Sequence, residues 1–171
     1  MSLRPTLRRL WLALAPRSFL RRASPDREEL GRAGEELAAR ALLATGWRVD
    51  GRRIRTPHGE VDLWVRCRDR SLVVEVKTRR LSLVPGAKGA PYAWDLRWRP
   101  ARSLGERQRQ RLERAAHHLE RCSGRPHTLT LVEVFVSRDG RHVQVQAPER
   151  LRAPEYDRDW ESPGGDCWQP R

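Results

Sequence analysis

The chain has 171 residues, which is enough for one domain with a hydrophobic core but tight for two. Its 35 Lys and Arg residues against 22 Asp and Glu give a net charge of +13, so we expect a polyanionic partner. The three cysteines form no Cys-x-x-Cys pair, which argues against a disulfide scaffold and favours a reducing, cytoplasmic environment. No apolar run approaches the roughly 20 residues of a membrane span, so the sequence predicts no transmembrane segment.

Residues 1 to 25 are basic and contain no acidic residue; their arginines are Arg4, Arg8, Arg9, Arg17, Arg21 and Arg22. The apolar run from Leu10 to Ala15 ends at Pro16 and is shorter than the core of an export signal. We therefore expect a basic, partly disordered arm. Such an arm can bind nucleic-acid phosphates or an anionic membrane surface, and the sequence leaves both partners open.

A helix is expected over residues 26 to 45. Ser24 is the predicted N-cap, followed by Pro25 at the first helical position and the acidic Asp26, and Gly46 is typical of a helix end. The apolar residues between them recur at the spacing of one buried stripe: Leu30, Ala33, Leu37, Ala38, Ala41 and Leu42. Three strands are then predicted between short turn sequences, over residues 47 to 56, 60 to 67 and 71 to 79.

The second half of the domain begins with a stretch rich in Pro and Gly, residues 81 to 102, which is either a functional or a disordered loop. Ser103 to Glu106 has a capping-box pattern and predicts a second amphipathic helix that ends at Gly124. Strands over 127 to 136 and 141 to 147 flank an Asp139-Gly140 turn. The order α-β-β-β-α-β-β predicts an α/β fold with a mixed sheet, a domain over 26 to 147 and an irregular tail over 148 to 171.

Three charged residues lie on the second and third predicted strands. Asp62 alternates with an apolar set, and Glu75 and Lys77 are two residues apart and so share one strand face. If these strands form a hairpin, Asp62 lies opposite the Glu75 to Lys77 region. Two close carboxylates are stabilised by a divalent cation such as Mg²⁺ or Mn²⁺, and Lys77 would then stabilise charge during phosphodiester hydrolysis. The alternative is an ordinary surface ion pair, which burial of this strand makes costly.

Four motifs extend this pattern along the chain: Gly31-Arg-Ala-Gly34-Glu35-Glu-Leu-Ala38, Gly46-Trp47, Gly59-Glu60-Val61-Asp62-Leu63 and Val74-Glu75-Val76-Lys77-Thr78-Arg79. Together they resemble the bacterial YraN family of uncharacterised, nuclease-like proteins over about residues 27 to 136. That family is similar to the PD-(D/E)XK nucleases, among them archaeal Holliday-junction resolvases. The resemblance implies a restriction-endonuclease-like α-β-β-β-α-β core, here with an added C-terminal strand.

The resemblance also implies roles for individual residues. Asp62 and Glu75 would be metal ligands for Mg²⁺ or Mn²⁺, and Lys77 the catalytic base or electrostatic stabiliser. Glu35 would be a fourth candidate, an acid from the first helix, with an ordinary solvated helix glutamate as the alternative. Glu60 would be a candidate to support the site. Where the family commonly has a lysine at the start of the second helix, this chain has Gln108, which could donate to a phosphate or merely cap the buried stripe. We favour the cap.

A nucleic-acid surface is expected at the second helix and the loop before it, where arginines are interleaved with Trp94 and Trp98. The alternative is a solvated helix face after a loop whose tryptophans pack onto the domain. The candidate contacts are Arg79, Arg102, Arg107, Gln108, Arg109 and Arg111. The sequence thus favours a metal-dependent endonuclease that binds and cleaves DNA, with branched DNA as an analogy and RNA still open. The alternatives are a nucleic-acid-binding protein without catalysis and a membrane-surface protein. A homodimer is expected if the substrate is a junction.

Overall fold

The structure, a computed structural model, describes residues 5–68, 70–86, 92–96 and 104–147. It contains four helices: α1 (Pro5–Leu14), α2 (Pro16–Arg22), α3 (Arg27–Ala44) and α4 (Glu106–Ser123). The strands are β1 (Arg48–Thr56), β2 (Gly59–Cys67), β3 (Arg70–Leu81), β4 (Leu83–Val84), β5 (Ala93–Trp94), β6 (His127–Ser137) and β7 (Val143–Gln146). The prediction of a mixed α/β fold is confirmed.

Five strands form the main sheet in the order β1-β2-β3-β6-β7, and β4 pairs with β5 in a small second sheet. The hairpins β1–β2, β2–β3 and β6–β7 are antiparallel. β3 lies at the centre of the sheet because its residues 72 to 74 are apolar and buried on both faces. The predicted hairpin turn at Asp139-Gly140 is confirmed, and Gly140 adopts the positive φ of 69° that such turns favour.

The chain divides into two compact units, each made of separate stretches of sequence. One unit contains β1, β2, the first part of β3 up to Glu75, α4, and β6 up to Leu131. Its core joins strand residues to the apolar side of α4: Ile54, Val61, Val73, Leu112, Ala115, Ala116 and Leu119. This apolar side follows the predicted spacing, and Gly124 ends α4 in a left-handed conformation as expected.

The other unit contains α1, α2 and α3 up to Ala41, β3 from Val76, the β4–β5 pair, β6 from Val132, and β7. Its buried residues include Phe19, Leu20, Ala33, Leu37 and Phe135. The prediction of a partly disordered arm is wrong for residues 5 to 22, which form two helices with buried Leu12, Phe19 and Leu20. Apolar side chains placed between the arginines bury enough surface to order the segment.

Two predicted helix caps differ in the structure. Asp26, and not Ser24, caps α3: the backbone N–H of Glu29 donates to Asp26 Oδ1 at 2.8 Å, and the N–H of Asp26 donates to Glu29 Oε2 at 3.1 Å. At α4 the N-cap is Gly105, which has no side chain to cap the helix.

Ser103 and the predicted tail from 148 to 171 lie outside the described residues, and the domain boundaries stay a prediction. Across the described part of the chain, no helix is long and apolar enough to cross a bilayer.

Candidate active site on the central strand

The β2–β3 hairpin positions the two candidate metal ligands. Its register sets Leu63 opposite Val74, so Asp62 and Glu75 are the next residues on the two strands, on the other face of the sheet. Val61, Leu63 and Val65 are fully buried, whereas Asp62 between them is only half-buried. The predicted alternation on β2 and the predicted hairpin are therefore both confirmed.

Glu75 is a buried carboxylate, 5% exposed, near the middle of β3. The side-chain amide of Gln108 donates a hydrogen bond of 2.6 Å to Glu75 Oε1. Gln108 lies in the first turn of α4, one turn before Leu112, whose packing fixes the helix on this unit. The sequence favoured Gln108 as a cap of the buried stripe, but the structure brings its amide to Glu75. A buried carboxylate needs such donors, because desolvation of an unpaired charge is costly.

Lys77 follows Glu75 by two residues on β3 and is half-buried. The next residue, Thr78, is in close contact with Gly34 of α3: a Cβ on Gly34 would lie 1.8 Å from Thr78 Oγ1. Glycine at this position therefore lets α3 pack directly against the strand. Glu35, the candidate acid of the first helix, is the neighbour of Gly34 and is half-buried. The motif that contains Gly34 and Glu35 thus has a packing reason as well as a candidate chemical one.

Glu60 forms an ion pair of 2.9 Å with Arg53 across the β1–β2 hairpin. Arg53 has a φ of 49°, in the left-handed region that residues other than glycine seldom adopt. The register pairs Arg52 with Leu63 and Ile54 with Val61, so Arg53 falls level with Asp62. Sequence reasoning missed this residue, since nothing in the spacing of the arginines marks an unusual backbone conformation.

The predicted nucleic-acid contacts have different surroundings. Arg79 lies 3.7 Å from Glu133 in a half-buried ion pair. Arg107 and Arg109 are exposed on α4, and the hydrogen bond that Arg109 donates to Glu113 raises the pKa of Arg109. Arg111 covers the β1–β2 turn, where a Cβ on Gly59 would lie 2.7 Å from its Nη1. Arg102 and Trp98 lie outside the described residues, and Trp94 donates from its indole N–H to Gln144.

A divalent cation such as Mg²⁺ or Mn²⁺ binds through oxygen ligands. In residues 5–68, 70–86, 92–96 and 104–147, no group of three or more His, Cys, Asp and Glu side chains is placed to hold a metal. Mg²⁺ is commonly bound by one or two carboxylates, with water and substrate phosphate as its other ligands. Asp62 and Glu75, at neighbouring positions of adjacent strands, supply that number of carboxylates.

Comparison with known proteins identifies the family. The model of "Uncharacterised protein family UPF0102" matches residues 34–142, which include every candidate catalytic residue. The chain belongs to this family. A UPF0102 protein of Parvibaculum lavamentivorans is 46% identical over 91 residues, covering 53% of this chain and 56% of the relative. One from Rhizorhabdus wittichii is 53% identical over 60 residues, covering 34% and 48%.

A third UPF0102 protein, from Aquifex aeolicus, is 39% identical over 62 residues, or 36% of this chain and 59% of the relative. The chain thus spans about half the length of the curated relatives it matches. The resemblance to the YraN family that the motifs predicted is confirmed, since UPF0102 is that family.

Proposed function

We propose that this UPF0102 protein is a cytoplasmic, metal-dependent endonuclease with a restriction-endonuclease-like core, and that it hydrolyses phosphodiester bonds of DNA. The observation that carries the proposal is the buried Glu75 on the central strand. Gln108 donates a hydrogen bond of 2.6 Å to it, and Asp62 lies at the neighbouring register position on β2. A protein rarely buries a carboxylate at the centre of a sheet unless its hydrogen bonds or a bound ion make up for the lost water.

In this proposal Asp62 and Glu75 hold one Mg²⁺ or Mn²⁺ ion. When bound, the ion lowers the pKa of a water molecule and neutralises charge on the phosphate. Gln108 holds Glu75 in one orientation through its amide. Lys77 extends from the same face of β3 as Glu75 and stabilises negative charge at the reacting phosphate. Glu35 of α3 is the further acid that the family resemblance implies, next to the contact of Gly34 with Thr78.

Charge supports nucleic acid as the substrate. The net charge of +13 gives affinity for phosphates without a sequence preference. Exposed Arg107 and Arg109 on α4 are the contacts expected to bind the backbone, and Arg79 is held by Glu133. DNA is favoured over RNA only by the family resemblance, and a junction substrate would require a homodimer with two active sites.

A second candidate function is nucleic-acid binding without hydrolysis. The observation that favours it is the same hydrogen bond, because Gln108 occupies Glu75 Oε1 and would satisfy a carboxylate whose role is structural. In that case the arginines bind nucleic acid and the charged residues of β3 stabilise the sheet.

The test is cleavage of labelled single-stranded, duplex, flap and four-way-junction DNA, with single-stranded RNA beside them, in Mg²⁺, Mn²⁺ or EDTA. We expect metal-dependent cleavage by the wild type, and a loss of about a hundredfold or more in Glu75→Gln and Lys77→Met. Glu28→Gln is the matched control, since Glu28 is an exposed residue of α3 paired with Arg32. Tight, salt-sensitive binding without cleavage in any metal would favour the binding protein instead.

A further inference from the structure

Helix α1 carries a stripe of leucines that faces solvent. Leu7, Leu10 and Leu14 are 53%, 51% and 72% exposed, and their spacing of three and four residues sets them on one side of the helix. Leu12, on the opposite side, is buried against the protein. The outward side of α1 is therefore the apolar surface that needs a partner, whereas single exposed leucines are ordinary.

The stripe is held in this orientation by polar contacts at both ends of α1. Arg40 of α3 donates from Nη2 to the carbonyl oxygens of Ala13 and Leu14, at 2.7 and 3.0 Å. Arg8 donates from Nη2 to Glu29 Oε2 at 2.8 Å. These hydrogen bonds oppose a rotation of α1 about its axis that would bury the leucines. The fold therefore keeps the stripe exposed.

The charge of α1 and α2 themselves indicates the partner. From Pro5 to Ala23 the chain holds no acidic residue and five arginines, namely Arg8, Arg9, Arg17, Arg21 and Arg22. Arg17 and Arg21 are exposed one turn apart on α2. Both helices precede residue 34, where the match to the family begins. The surface thus lies outside the matched residues, and its apolar and basic side chains suit a partner that is both apolar and anionic.

We propose that α1 and α2 dock the protein on an anionic lipid bilayer. The three leucines enter the boundary between headgroups and acyl chains, and Arg17 and Arg21 contact lipid phosphates. Nucleic acid would satisfy the arginines but leave the leucines in water. A second copy of this chain would cover the leucines but would bring two basic segments together, which their repulsion opposes. The docking surface is independent of the proposed nuclease site.

Sedimentation of the full chain with vesicles tests this surface. Vesicles of phosphatidylcholine alone are compared with vesicles that also contain phosphatidylglycerol. We expect binding only to the anionic vesicles, weakened by about tenfold for each of Leu7, Leu10 and Leu14 changed to serine. The matched control is Leu43→Ser, because Leu43 is 48% exposed on α3, outside the stripe. Arg17→Glu with Arg21→Glu provides a second variant, expected to lose binding and its salt sensitivity.

Three results would overturn the proposal. The first is the absence of wild-type binding to anionic vesicles, and the second is a triple serine variant that binds as well as Leu43→Ser. The third comes from sedimentation velocity without lipid: a dimer that the three serines dissolve would assign the stripe to contact between copies. DNA binding measured on the same variants separates this surface from the nuclease proposal, since the serines should leave it unchanged.

Discussion

The hydrogen bond from Gln108 to Glu75 should be worth far more than an equivalent bond on the surface. Its length is 2.6 Å and its acceptor is 5% exposed, so water cannot replace the amide once it is removed. Hydrogen bonds to charged groups contribute about 1.5 to 3 kcal/mol, against about 0.5 to 1.5 kcal/mol for neutral pairs. We therefore expect Gln108→Leu, which removes the donor, to lower the free energy of unfolding by about 2 kcal/mol.

A matched control, Gln110, lies two residues after Gln108 on the same helix. Gln110 donates to Glu106 at 2.8 Å, and this pair is exposed to solvent. Gln110→Leu should cost less than about 0.5 kcal/mol. Both variants are compared by equilibrium urea unfolding, followed by circular dichroism, with the slope of each transition checked against the wild type.

A double-mutant cycle with Glu75→Gln isolates the pair. We expect a coupling energy of about 1 kcal/mol or more between Gln108→Leu and Glu75→Gln, because the second change removes the charge that strengthens the bond. A coupling energy near zero, together with equal losses in Gln108→Leu and Gln110→Leu, would refute the reasoning. Such a result would mean that Gln108 does not hydrogen-bond Glu75 when the protein is in solution.

Two further predictions concern packing and pH. Gly34→Ala should lower the free energy of unfolding by about 1 to 3 kcal/mol, because its Cβ would lie 1.8 Å from Thr78 Oγ1. Gly31→Ala, with nothing within 4 Å, should instead stabilise by about 0.5 to 1 kcal/mol; similar effects of the two changes on thermal unfolding would contradict the close contact. Burial lowers the pKa of His127 below its ordinary 6.5, while its Nδ1 contacts the Arg125 carbonyl at 2.7 Å. The folded chain then binds fewer protons than the unfolded chain, so stability should fall as pH drops below about 6.5, and His127→Gln should flatten that part of the urea-midpoint profile.

Most of the regular structure could be predicted because burial sets its periodicity. The first long helix was expected over 26 to 45 and spans Arg27–Ala44, and the three strands after it begin and end within two residues of their predicted bounds. The alternation on β2 also predicted that Asp62 would lie apart from the buried residues. These features depend on neighbours in sequence, which a single chain displays directly.

Features that depend on distant contacts could not be predicted in the same way. Gln108 and Glu75 are 33 residues apart, and only the packing of α4 decides which side chain the amide meets. The helices α1 and α2 have too many arginines and prolines for a clear pattern, and Arg40 and Glu29 of α3 help to hold them. The left-handed Arg53 has no sequence signal, because glycine or asparagine is the usual residue in that conformation.

The most direct test of the proposed function is the rate of DNA cleavage in Mg²⁺ or Mn²⁺ by the wild type and by Glu75→Gln, measured with equal amounts of folded protein. The proposal predicts that EDTA abolishes cleavage and that Glu75→Gln loses about a hundredfold or more, while Glu28→Gln keeps the wild-type rate. Cleavage by Glu75→Gln at the wild-type rate would contradict a catalytic role for this carboxylate. Nucleic-acid binding without any cleavage would leave the chain a binding protein on this fold.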